Sequence, residues 1–199
     1  MNACLLRIGD GRDEYHERSW QSAVASLPKM QHVVTIDDHA HELGFSGAIA
    51  EGWRQALVTG ADYIFHLEMD FTFNAPVPLA AMIELLEAKP YLAQVALKRQ
   101  PVNAEERAAG GIVELHPDDF RQRVENGVIW TENRRCFTTN PCAYSTRLCL
   151  HGWPQEPHSE GVFTHRLLAD PDVQFAFWGA KLDAPLVHHI GDDRTGTGY

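Results

Sequence analysis

The first ninety residues alternate between short apolar runs and longer segments whose apolar side chains recur every three or four positions. The short runs are typical of strands and cover residues 3–8, 32–36 and 61–68. Amphipathic helical segments separate and follow them, with stops at Gly60 and before Pro90. Strands joined by helices favour a parallel sheet with crossover connections. The sequence therefore predicts an α/β protein with a mostly parallel central sheet flanked by helices.

The second half of the chain is less regular. A strand is predicted over residues 91–98 and a polar, mobile loop over residues 99–111. A hairpin of two short strands is predicted at residues 127–131 and 136–139. Helical spacing returns at residues 160–169, and final strands are predicted at residues 173–178 and 184–189.

Composition and charge limit the classes of function. The 199 residues carry a net charge of -10, which argues against general nucleic-acid binding, because phosphate contacts need clustered Lys and Arg. No apolar run is long enough for a membrane span, and residues 1–7 lack the features of a secretory signal. The four cysteines show no metal-site spacing. We expect a cytoplasmic protein.

Two carboxylates lie one residue apart at the end of the third predicted strand. Glu68 and Asp70 follow the apolar run at residues 61–67. Residues two apart on an extended chain point the same way, so both can reach one ligand beside the sheet. Hard divalent cations such as Mg²⁺ and Mn²⁺ prefer carboxylate oxygens and leave positions open for substrate phosphates. The pair therefore predicts a Mn²⁺ or Mg²⁺ site, with a solvated loop as the alternative.

In their order along the chain, these motifs resemble a known family. The motifs are the α/β half, the Asp37-Asp38 pair, the Glu68-Met69-Asp70 triplet, a late acid at the start of a helix and a histidine near the end of the chain. Together they are similar to the motifs of GT-A glycosyltransferases. The resemblance is to small inverting members of family 2, including phage-encoded ones. It implies a single GT-A (Rossmann-like) domain over residues 1–199. Residues 1–98 form its nucleotide-binding half, and residues 99–199 form an acceptor-side half with a C-terminal closing loop.

The resemblance also implies a metal centre. Asp70 matches the acid that bridges the cation to the donor diphosphate, and Glu68 matches the first acid of the triplet, which reaches the ribose or waters on the metal. His189 matches the late histidine ligand. His188 remains the alternative, because neighbouring strand residues face opposite sides and the register is open.

A catalytic base is implied by the segment from Ser159 to Arg166, which is similar to the family's acid and arginine element. Glu160 takes the acid position, where a carboxylate can accept the proton of an acceptor hydroxyl. An acid in the first turn of a helix also has a purely structural explanation, since it interacts favourably with the helix dipole.

The remaining donor-binding candidates surround this centre. Asp38 or its neighbour Asp37 matches the acid that hydrogen-bonds the base or ribose. Three cations, Arg12, Lys98 and Arg194, are candidates for contacts with the donor.

Together these residues predict a metal-dependent transferase. It would move a sugar from a nucleoside diphosphate sugar donor to a hydroxyl acceptor on a protein, glycan, lipid or modified base, with inversion at the anomeric carbon. One alternative is a non-catalytic protein that binds nucleotide sugars or carbohydrates. The other is a phosphatase of the haloacid dehalogenase type, which needs an aspartate nucleophile on the first strand, where Glu68 fits neither requirement.

Overall fold

The computed structural model of the protein describes residues 2–193. Within them, the strands are β1 (Ala3–Gly9), β2 (His32–Asp37), β3 (Tyr63–Glu68), β4 (Phe71–Phe73), β5 (Leu92–Ala96), β6 (Phe120–Glu125), β7 (Val128–Asn133), β8 (Cys142–Ser145), β9 (Gln174–Trp178) and β10 (Val187–His189). The helices are α1 (Asp13–Ser26), α2 (Gly44–Val58), α3 (Leu79–Ala88), α4 (Ala104–Ala109), α5 (Ile112–Leu115) and α6 (Ser159–Leu168). Short 3-10 helices lie at Pro117–Asp119, Thr146–His151 and Ile190–Asp193.

Eight of the described strands form one sheet, in the order β2-β1-β3-β8-β5-β9-β7-β6. β1 pairs in parallel with β2 and β3, and β5 pairs in parallel with β9, whereas β8 and β7 run the other way. The predicted α/β class with a mostly parallel sheet is confirmed. A second, two-stranded sheet pairs β4 with β10.

Each face of the large sheet is covered by its own apolar core. The alternation along β1 sends Leu6 and Ile8 to a core shared with α2 and α6, and Leu5 to a core shared with α1 and α3. Gly52 of α2 lets that helix approach β1 closely, since a Cβ there would lie 2.7 Å from the Leu6 side chain. The two cores pack helices on both faces of the large sheet and so fix the positions of its strands relative to one another.

Two local predictions in the second half are wrong. The segment predicted as a mobile loop contains α4, because the side chain of Asn103 caps it by accepting from the N–H of Glu106 at 2.8 Å. The predicted hairpin is shifted: β7 pairs with β6 across the Asn126-Gly127 turn, whose two residues have positive φ. None of the helices in residues 2–193 is long and apolar enough to cross a membrane.

Candidate active site

The carboxyl ends of six described strands lie at one edge of the large sheet. β1, β2 and β3 are parallel neighbours, and β5, β9 and β6 run the same way on the other side of β8. Open α/β sheets bind their ligands at this edge. The acids predicted at positions 37, 38, 68 and 70 therefore lie along one side of the molecule, at the ends of β2 and β3 and in the turns that follow them.

The small sheet of β4 and β10 brings Asp70 and His189 together. His189 lies opposite Phe71 in that ladder, and the N–H of Ile190 donates to the carbonyl of Asp70 at 2.7 Å. Nε2 of His189 is 3.1 Å from Oδ2 of Asp70. The imidazole also packs on Phe71, with ring centroids 4.7 Å apart. Asp70 is buried and His189 is half-buried, so their orientation is set by the fold.

The side chain of Gln100 holds the backbone of His189 through two hydrogen bonds. Its side-chain oxygen accepts from the N–H of His189, and its amide donates to the carbonyl of His189, both at 2.9 Å. His188 lies opposite Thr72 and is exposed. Because neighbouring strand residues face opposite sides, the register directs His189 toward Asp70 and His188 away from it.

Glu68 ends β3 beside this pair. The pKa of its carboxyl is raised to about 8, first by burial and then by the carboxylates of Asp70 and Glu160. A hydrogen bond with Thr139 and the imidazole of His189 act in the opposite direction. The carboxyl of Glu68 is thus influenced by two carboxylates and an imidazole from distant positions of the chain, 70, 160 and 189.

Glu160 lies in the first turn of α6 and is held by Thr139. Its Oε1 accepts the backbone N–H of Thr139 at 2.8 Å and the hydroxyl of Thr139 at 3.0 Å. Two cavities open beside Glu160. One, of about 530 Å³, lies between the starts of α2 and α6 and includes Phe45 and His158. The other, of about 250 Å³, includes Arg135 and His165.

Asp37 and Asp38 have different surroundings. Asp38 is buried, and its carboxylate accepts the backbone N–H groups of Glu42, Leu43 and Gly44 at 3.0, 3.1 and 2.8 Å. These contacts fix the entry into α2. Asp37 is more exposed: it accepts from the N–H of Gly11 at 2.8 Å.

Asp37 also contacts two histidines. Its Oδ2 lies 3.3 Å from Nδ1 of His16 and 2.8 Å from Nε2 of His39. The pKa of His16 is lowered by burial, and Asp37 opposes that shift.

The candidate cations are placed differently. Arg12 pairs with Asp10 after β1 and lies over the ring of Tyr15 at 5.6 Å. Lys98 follows β5, and its ammonium donates to the carbonyl of Lys181 at 3.1 Å and lies 3.9 Å from Glu114. Arg194 and the residues of the predicted closing loop that follow it lie outside the described residues.

Sequence reasoning missed Thr139, His16 and His39. Thr139 belongs to no recognisable motif, and it reaches Glu160 only because the segment before β8 folds against α6. His16 lies on the first amphipathic helix, so its position beside Asp37 depends on how that helix packs. The His39 signal was stronger, since it directly follows the acid pair at the end of β2.

The donor set of this site suits a hard divalent cation. Carboxylate and imidazole groups are ligands that Mn²⁺ accepts. The pKa of Glu68 is raised mainly by burial and further by the charges of Asp70 and Glu160, and a cation would offset those charges. Among residues 2–193, however, no three His, Cys, Asp or Glu side chains are already arranged around one point as a metal centre would require. Asp70 and His189, whose Oδ2 and Nε2 atoms lie 3.1 Å apart, are two side chains that could contribute to such a centre.

Comparisons with known proteins find similarity at the level of the fold. No family model and no curated sequence matches the chain. The crystal structure of GalNAc-T7 with UDP, GalNAc and Mn²⁺ superposes with a TM-score of 0.65 and 9% identity, over 95% of this chain and 44% of that one.

A second solved structure gives a similar result. S. aureus TarS residues 1–349 superposes with a TM-score of 0.61 and 14% identity, over 94% of this chain and 60% of that one. Its complex with UDP-GlcNAc has a TM-score of 0.58 and 12% identity, over 98% and 62%. This chain therefore spans about half the length of these structures, and what it shares with them is the α/β architecture of the GT-A fold.

Proposed function

We propose that this protein is a metal-dependent, inverting glycosyltransferase that transfers a sugar from a nucleoside diphosphate sugar to a hydroxyl acceptor. The observation that carries the proposal is the cluster at the sheet edge, where Asp70 is paired with His189 and interacts with Glu68, which in turn interacts with Glu160. Support for a nucleotide-sugar donor comes from two proteins of the same fold, one crystallised with UDP and Mn²⁺ and the other with UDP-GlcNAc. The resemblance to phage-encoded members of family 2 stays a prediction.

In this proposal Asp70 and His189 hold Mn²⁺ or Mg²⁺, with Glu68 adjoining them. The bound cation supplies Lewis-acid stabilisation of the charge that develops on the leaving nucleoside diphosphate. Of the two acids after β2, we assign Asp37 to the nucleoside of the donor. Asp37 is the more exposed of the two, whereas Asp38 is buried and its carboxylate accepts three backbone N–H groups.

Glu160 acts as the general base. As the acceptor oxygen attacks the anomeric carbon, its proton passes to the carboxylate of Glu160, and the bond from that carbon to the diphosphate breaks. Attack opposite the leaving group inverts the configuration. Both contacts of Glu160 with Thr139 go to Oε1, so we assign Oε2 to the acceptor proton.

The test combines ligand binding with turnover. Thermal unfolding is followed with UDP-, GDP-, CMP- and TDP-sugars, each with and without Mn²⁺, because a ligand that binds only the folded state raises the melting temperature. Release of the nucleotide from the donor is then measured for the wild type, Asp70→Asn and Glu160→Gln. We expect Asp70→Asn to lose the Mn²⁺-dependent shift. Glu160→Gln should keep it while turnover falls by about 100-fold or more.

Two outcomes would contradict the proposal. Full turnover in Glu160→Gln would remove the base, and a donor shift that does not depend on Mn²⁺ would remove the metal. A shift without nucleotide release from any donor, even in the wild type, would favour the non-catalytic binding protein.

A further inference from the structure

A buried threonine outside every sequence motif holds the carboxylate that the proposed reaction uses as its base. Thr139 is 5% exposed and lies three residues before β8. Both of its hydrogen-bond donors, the backbone N–H and the hydroxyl, are directed at the same oxygen of Glu160.

The two donors restrict the carboxylate of Glu160 strongly. A glutamate at the start of a helix has several rotatable bonds and would otherwise sample many orientations. Two hydrogen bonds to Oε1, at 2.8 and 3.0 Å, restrict the orientation of the carboxylate, and Glu160 lines both cavities beside α6. A general base works only within hydrogen-bond reach of the proton that it takes, so this restriction bears directly on the reaction.

Thr139 is itself held by the core of the protein. Gln94 of β5 is 1% exposed, and its side chain accepts the N–H of Thr138 at 3.0 Å. The same side chain donates to the carbonyl of Thr138. The peptide before Thr139 is therefore anchored to a central strand of the sheet, which lies two strands away from β3.

Substitution can separate the two donors of Thr139, because only one of them belongs to the side chain. A valine at this position would keep the volume and remove the hydrogen bond from the hydroxyl while leaving the one from the backbone N–H. A serine would keep both. The chain therefore offers a clean pair of substitutions.

From this geometry we infer that Thr139 is a positioning residue, which orients the carboxylate of Glu160 toward the acceptor hydroxyl. The inference rests on the proposed function, because it assigns Thr139 a role only through Glu160 acting as the base. Gln94 supports it by fixing the peptide that precedes Thr139.

The test is a double-mutant cycle with two readouts. Thr139→Val, Thr139→Ser, Glu160→Ala and the double variant Thr139→Val/Glu160→Ala are measured for donor turnover with Mn²⁺ and for thermal unfolding without ligand. Thr139→Val should lower kcat by about tenfold and leave the KM for the donor unchanged, since misplacing a catalytic group affects the reacting state. Thr139→Ser should recover most of the loss. In the Glu160→Ala background the valine should have no further effect on kcat.

A matched control separates positioning from loss of stability. Thr131 of β7 is also buried, and its hydroxyl donates to the carbonyl of Gly179 at 3.0 Å. Thr131→Val removes a comparable hydrogen bond away from Glu160. We expect it to lower the melting temperature without changing kcat.

The readouts also distinguish this inference from the proposed function. Unchanged kcat in Thr139→Val, or a tenfold loss that persists without Glu160, would overturn the inference even though transfer occurs. If no donor is turned over, the proposed function fails. The unfolding cycle then decides whether the Thr139 hydroxyl and Glu160 interact. If the changes in melting temperature of the two single variants simply add in the double variant, the two side chains are not coupled.

Discussion

Asp38 and Asp70 are buried acids that follow parallel strands at the same edge of the sheet, yet their carboxylates do different things. Asp38 accepts three backbone N–H groups at the entry to α2. Asp70 instead lies against the imidazole of His189 and near Glu68, whose pKa is raised. Backbone amides engage both oxygens of the first carboxylate, while the second lies near other acids whose charge a cation would offset. A position at a strand end therefore does not define function, and the groups around each acid do.

The sharpest way to break this comparison is to remove the imidazole. We expect His189→Ala to lower the apparent affinity for Mn²⁺, measured from the thermal shift, by at least about tenfold. Metal centres lose that much affinity even when only a group that supports a ligand is removed. His188→Ala is the matched control, since that ring is exposed on the other face of β10. Manganese titrations followed by thermal unfolding give both values.

The reverse result would be informative. If His188→Ala abolished the shift and His189→Ala did not, the register of β10 against β4 would differ from the one described. Equal effects would place neither ring at the cation.

The stability of the protein tests the other half of the comparison. Asp38→Asn should lower the free energy of unfolding by about 1–2 kcal/mol, because an amide offers one acceptor oxygen to three backbone donors. The Mn²⁺-dependent shift should remain. Urea unfolding measures the loss, and Asp172→Asn, a change at an exposed acid, should stay within about 0.5 kcal/mol of the wild type. A larger loss of Mn²⁺ binding than of stability would make Asp38 part of the site after all.

The contrast between the two acids also explains what could be predicted from the sequence. Strand and helix periodicity along the first ninety residues is local, so the order of β1, α1, β2, α2, β3 and α3 and the edge carrying Glu68 and Asp70 followed from it, whereas the three-residue strand β4 did not. The role of Asp38 did not, because its partners lie in the turn after β2 and depend on the backbone path. In a printed sequence, the two acids look alike.

The second half shows the same limit more strongly. β8 lies between β3 and β5 and pairs with both in the antiparallel direction. The apolar pattern of its four residues cannot predict this arrangement, because the pairing partners are distant in the sequence. The site residues Thr139, Glu160 and His189 meet Glu68 through these long-range pairings. The helix α4 was predicted as a loop because its sequence is polar, although Asn103 provides a capping signal and Glu106 is buried.

Glu106 extends the comparison to a third buried acid, and its expected effect is the smallest. Burial raises its pKa, but hydrogen bonds from Arg99, the N–H of Val102 and Asn103 outweigh that, so the pKa lies below its ordinary value of 4.5. A carboxyl whose pKa is lowered on folding stabilises the protein above its unfolded pKa, and this contribution is lost as the pH falls through the folded value. We therefore expect Glu106→Gln to lower stability at about pH 6, and the difference from the wild type to shrink as the pH falls below about 4. Urea unfolding across this range tests the prediction. A difference that stays constant with pH would mean that the charge of Glu106 contributes nothing and that α4 is held by its cap and its packing alone.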